Sequence, residues 1–152
     1  MADPISFTAA TPRFSLPFLF AGQAQKEFYV NQAQARIDAL LHPVVEGTAA
    51  APPATPQEGQ AWLVGAEATG AWQGQGGTIA AFAAGTWLFI TPRNGMQVFD
   101  ISAAQYARFA NGWHRAAAPA APVGGAVADA EARAAIAQLI EALASAGILP
   151  DV

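Results

Sequence analysis

The side chains with chemistry to offer are few and scattered. His42 and His114 are the only histidines in 152 residues, and neither has an acid or a second histidine at ligand spacing. There is no cysteine, which removes disulfides, thiolate nucleophiles and Cys-ligated zinc together. Glu58, Glu67 and Asp100 stand alone in sequence, so the paired carboxylates of a glycosidase are not legible. The run GQGGT, Gly74 to Thr78, lacks the Lys-Ser/Thr ending with which a phosphate-cradling loop opens its helix. The reading is of a non-enzymatic protein with no metal and no cofactor.

Aromatic rings are the remaining resource. Trp62, Trp72, Trp87 and Trp113 all fall in one Gly-rich stretch, three of them after Gly-Ala, Gly-Thr or Gly. Two roles are open to such rings: filling the core of a small β-domain, or standing exposed as platforms against which the C–H face of a sugar stacks. Under the second role Trp72, Trp87, Tyr106 and Trp113 are the candidate stacking rings. Gln73, Asn94 and Asn111 are then the hydrogen-bonding partners, on loops at hairpin ends.

Composition narrows the partners. Charged residues are 12% of the chain and the net charge is −4. The seven basic residues are spread from Arg13 to Arg133, whereas a nucleic-acid surface needs them clustered to displace counterions. A weakly charged surface rich in Ala, Gly and Pro suits a chain partly covered by its own copies or by neighbours. The opening residues have an acid where a secretory signal carries basic ones, and the run Leu16 to Ala21 contains Pro17 and is far too short to span a bilayer. Synthesis in the cytoplasm without membrane insertion is expected.

The elements that must position these residues read as follows. Pro4, Pro12 and Pro17 favour an extended N-terminal arm, with Phe14, Leu16, Phe18 and Phe20 along one apolar face. A helix is predicted from Gln32 to Leu41, with Asn31 as its cap, Gln34 completing a capping box and Pro43 forcing its end. Residues 1–46 form this arm and helix, and 47–60 a linker with Pro52, Pro53 and Pro56. Residues 61–118 form an antiparallel β-domain, a meander or small sandwich, in which the turn Pro92 to Gly95 makes a hairpin between strands ending near Thr91 and starting near Met96. Residues 119–152 carry a second linker and a helix from Ala130 to Ala146, capped by Asp129 and ended by Gly147. Its Ile136, Leu139, Ile140 and Leu143 stripe packs either on its own domain or in a self-associating bundle. The fold class is α+β with the helices outside the β-region.

Across LPFLFAGQAQKEFYVNQAQARIDALL and PPATPQEGQAWLVGAEATGAWQGQGGTIAAFAAGTWLFITPRNGMQVFD the chain resembles a domain-of-unknown-function family widespread in alphaproteobacterial prophages and gene transfer agents. The resemblance covers Pro12 to Trp113. It implies a spike or fibre component of a phage-like particle that binds host capsular polysaccharide and contacts other particle proteins, assembled in the virion and released by lysis. A purely structural adaptor joining a spike or fibre to the particle is the alternative. Because spikes and fibres are commonly symmetric, and because both the arm and the C-terminal stripe need cover, a homo-oligomer is expected, a trimer being favoured.

Overall fold

A computed structural model describes residues 16–19, 22, 24, 26–120, 123–124 and 129–150. The chain runs through helix α1 (Lys26–Leu40), strands β1 (Val44–Val45), β2 (Thr48–Ala49) and β3 (Ala61–Val64), and a 3-10 turn at Gly70–Trp72. Strands β4 (Ile79–Ala83), β5 (Thr86–Ile90) and β6 (Gln97–Asp100) follow, then a 3-10 turn at Ile101–Ala103. Strands β7 (Gln105–Phe109) and β8 (Trp113–His114) and helix α2 (Ala130–Ser145) complete the order. The α+β class is as expected.

The strands form two four-stranded sheets, ordered β1-β6-β7-β8 and β2-β3-β4-β5. Their inward side chains meet in one core built from Val45, Leu63, Ile79, Ile90, Met96, Val98 and their neighbours. Strand alternation dictates this: along β6, Val98 and Asp100 are buried while Gln97 and Phe99 point the other way. A second cluster covers the outer face of the β2–β5 sheet, where Trp72 packs with Val64 and Ala80 and against Trp62 and Trp87.

Within 61–118 the strands pair antiparallel as expected, β3–β4–β5 and β6–β7–β8. From before that stretch, β1 pairs in parallel with β6 (Val44↔Phe99) and β2 in parallel with β3 (Thr48↔Leu63), so the sheets as a whole are mixed. Neither strand is tied to its neighbour by a tight turn, so no hairpin forces them antiparallel. Three expectations need correction. Strand β2 falls within the stretch read as a linker: its prolines deny donors locally, yet Gly65 N–H bonds to Ala49 O (2.8 Å) and Thr69 N–H to Ala50 O (2.8 Å). The Pro92–Gly95 turn is not a hairpin. β5 pairs with β4, β6 pairs with β1 and β7, and the turn carries the chain from one sheet to the other, with Ile90 and Val98 entering the shared core from opposite sides. The turn residues specify a reversal and say nothing of which edges then pair. Finally, α1 begins at Lys26, so Asn31 lies inside the helix and caps nothing; Lys26, Glu27 and the Gln/Ala run are good helix formers, and Glu27 complements the helix N-terminus.

The C-terminal helix follows the sequence closely. Asp129 accepts from Ala132 N–H (2.9 Å), and Gly147, at φ +70°, ends the helix and turns the chain. Tyr106 N–H then bonds to Gly147 O (2.6 Å), buried Gln105 donates from Nε2 to Ala116 O (2.8 Å) and Ile148 O (3.1 Å), and Leu149 is buried. The end of α2 is thus stitched to β7, while no residue of the helix itself is buried. Of the N-terminal arm, Leu16, Pro17 and Phe18 are half-buried; Phe14 and Phe20 lie outside the described residues.

Candidate functional site

The proposed sugar contacts separate into four places. Trp72 is completely buried, edge to face with Trp87 (centroids 5.0 Å apart, 86° between planes). A ring with no exposed surface offers no platform, so Trp72 belongs to the core. Trp87 is half-buried in the same cluster, against Trp62 and Phe82, and Gln73, next to Trp72, is exposed. Asn94 and Asn111 lie at one end of the sandwich and hold each other: Asn111 N–H donates to Asn94 Oδ1 (2.9 Å) and Asn94 Nδ2 to Asn111 Oδ1 (3.3 Å). Trp113 is half-buried, packs on Phe109, and donates from Nε1 to Gly77 O (3.0 Å), tying the β7–β8 hairpin to the other sheet. Its neighbours make it a strut.

Tyr106 is different. It lies on the outer face of the β1-β6-β7-β8 sheet with 46% of its surface exposed. Register explains its surroundings. Phe99 is its partner on β6 and Val44 the partner of Phe99 on β1, while one step along, Gln97, Arg108 and His114 form a second row across β6, β7 and β8. Side chains in such rows have Cβ atoms about 5 Å apart, and Tyr106 and Arg108, two residues apart on one strand, share a face. Phe99 meets the Tyr106 ring edge to face (5.2 Å, 74°).

Two adjoining depressions lie over this face and share Gln97 and Tyr106. One, of about 670 Å³, runs along Arg108, His114 and Ile148; the other, of about 480 Å³, along His42, Val44 and Phe99. Together they make an open groove with an aromatic floor and a polar, basic rim. Of its members the sequence reading singled out only Tyr106 for this role. Gln97, Arg108 and His114 were missed, because strand alternation gives the facing of each residue but not which strands lie side by side.

Beneath the groove sits the one ion pair seen among the described residues. Asp100, 1% exposed, is bonded by Arg115 Nη2, which also donates to Thr48 Oγ1 (3.2 Å). Burial pushes the Asp100 carboxyl up, but the Ser102 hydroxyl (2.7 Å), the Arg115 guanidinium and the Ala103 N–H (3.2 Å) outweigh it. The carboxyl is therefore held below the usual carboxylate range. Because Thr48 belongs to β2 and Asp100 to β6, this cluster clasps the two sheets together. It is fully engaged structurally. Among the described residues no group of three or more His, Asp or Glu side chains is placed to hold a metal ion, and no helix is long and apolar enough to cross a membrane.

Fold and site define a small α+β module of two packed mixed sheets, with one aromatic-basic sheet face left open between its two helices' attachment points. The chain belongs to the family described as "Protein of unknown function (DUF2793)", which matches residues 30–115, from within α1 to the arginine of the clasp. No curated protein matches the chain.

Proposed function

We propose that this protein is a non-enzymatic spike or fibre component of a phage-like particle, and that it binds host cell-surface polysaccharide. The observation that carries the binding half is Tyr106: an exposed ring flanked by Gln97, Arg108 and His114, in an open groove of the size a few sugar residues occupy. Sugar recognition needs an apolar ring face for stacking and fixed polar groups at its edge, and this face supplies both. The assignment to a particle rests on the resemblance set out with the sequence.

A second reading, a structural adaptor, is favoured by the helices. Phe28 and Leu41 are 63% and 65% exposed at the two ends of the α1 region, and Leu139 of α2 is 60% exposed. Helices of 15 and 16 residues with nothing buried are marginal alone, so partners, copies of this chain or particle proteins, are the natural cover. A homo-oligomer, a trimer by preference, accommodates both readings.

The test is binding of the purified protein to capsular polysaccharide from candidate host cells, with Tyr106→Ala beside the wild type. Retained folding with binding lost is expected. Wild-type binding that survives Tyr106→Ala moves the site elsewhere; no binding to any capsule leaves the adaptor reading standing.

A further inference from the structure

We infer that the groove on the outer face of the β1-β6-β7-β8 sheet takes an acidic glycan, one whose sugars carry carboxylates, with Tyr106 stacking a sugar ring and Arg108 receiving its carboxylate. The inference rests on the carbohydrate-binding reading and specifies its ligand.

The charge distribution carries it. The chain is acidic, with eleven Asp and Glu against seven Lys and Arg. Yet no acid lines either half of the groove, while both histidines of the chain, His42 and His114, and two of its arginines, Arg108 and Arg115, do. Local charge there opposes the sign of the whole molecule. Arg115 is engaged with Asp100, but Arg108 makes no hydrogen bond or ion pair among the described residues. Its guanidinium is exposed on β7, two residues along from Tyr106 and on the same face, a separation of about 7 Å along the strand. That spacing sets a planar two-pronged donor one sugar ring away from a half-exposed aromatic ring, and a guanidinium matches a carboxylate with two parallel hydrogen bonds. His114 Nε2 sits 3.1 Å from Ala110 O, so that nitrogen donates to the carbonyl and fixes the ring beside Arg108. Gln97, opposite Arg108 in the register, adds an amide for hydroxyls.

A polyanion of another class, single-stranded nucleic acid, also offers planar rings and negative charge. One free arginine in a chain of net charge −4 is too little for it, since such sites track a backbone with many cations.

The experiment measures binding of the full chain to three probes at moderate ionic strength: polygalacturonate, the same polymer with its carboxyls reduced to alcohols, and a single-stranded oligonucleotide. Expected is binding to polygalacturonate that weakens with added salt, falls about tenfold or more in Arg108→Gln, and is lost in Tyr106→Ala. Arg108→Gln changes an exposed side chain and should melt with the wild type, while Tyr106→Ala, which loses the Phe99 contact, should remain folded with a modestly lower melting temperature; calorimetry checks both. Equal binding to the reduced polymer, or indifference to Arg108→Gln, overturns the acidic-ligand inference while leaving carbohydrate binding intact. Preference for the oligonucleotide overturns both. Binding to none of the probes, when host capsule itself is bound, also overturns the inference and keeps the reading; if capsule too is ignored, both fall.

Discussion

Two residues of the same chemical family behave oppositely here, and burial is the reason. Trp72 has no exposed surface, so Trp72→Ala removes a core ring and is expected to lower stability by about 3–5 kcal/mol, seen as a large fall in the urea midpoint. Its Nε1–H finds no hydrogen-bond acceptor, and the edge-to-face packing leaves neighbouring indole faces as its surroundings. Trp72→Phe, which deletes that donor, should therefore be markedly milder than Trp72→Ala. Tyr106→Ala removes a half-exposed ring and its contact with Phe99 and should lower the midpoint far less, by about 1 kcal/mol. Asp100 gives the pH dependence. Its carboxyl titrates lower folded than unfolded, so its contribution is present above the unfolded value of about 3.9 and is lost as pH falls through the depressed folded one. Arg115→Ala strands that charge in the core and should cost roughly 3 kcal/mol near neutral pH. The gap between this variant and the wild type should narrow in acid, where protonation removes the stranded charge; a gap constant from neutral to acid pH would contradict the clasp.

At the scale of elements, the end of α2 is fixed more firmly than its length. A Cβ on Gly147 would meet Phe99 Cε2 at 3.1 Å and Tyr106 Cδ2 at 3.3 Å, and the backbone there is left-handed. Gly147→Ala is therefore expected to destabilise by about 1 kcal/mol or more, and to speed amide exchange at Tyr106, whose N–H bonds Gly147 O. This helix was legible in the sequence nearly to the residue, because Asp129, the apolar period and Gly147 are all local signals. The α1 start was not, since Asn31 has the chemistry of a cap but sits among residues that propagate helix equally well. The β1 and β2 strands were hidden for another reason: two-residue strands carry no periodicity, and their partners are fixed only by the finished sandwich. The groove shares that fate. Tyr106 could be chosen from its type, but Arg108, Gln97 and His114 become its company only through register across three strands.

For the whole molecule, the exposed apolar residues of the two helices set the expectation for assembly. Light scattering at micromolar concentration should give a multiple of the chain mass, and replacing Ile136 and Leu139 of α2 by Glu should return the monomer with the β-sandwich still folded, since neither side chain belongs to its core. A wild-type monomer would remove the case for the trimer.

The parallel pairing of β1 with β6 also orders events in time. Fifty-five positions separate Val44 from its partner Phe99, whereas β3 to β5 and β6 to β8 pair with near neighbours. On a ribosome adding about 5–20 residues per second, β1 is made first and waits roughly 3–11 s for β6 to be synthesised, whereas β2 meets its partner β3 soon after it is made. The β3–β5 meander can close early, but the β6–β8 meander, against which β1 pairs, is synthesised late. A nascent chain stalled before β6 should consequently stay open to protease at Val44–Val45, and become resistant only when β6 to β8 have cleared the exit tunnel.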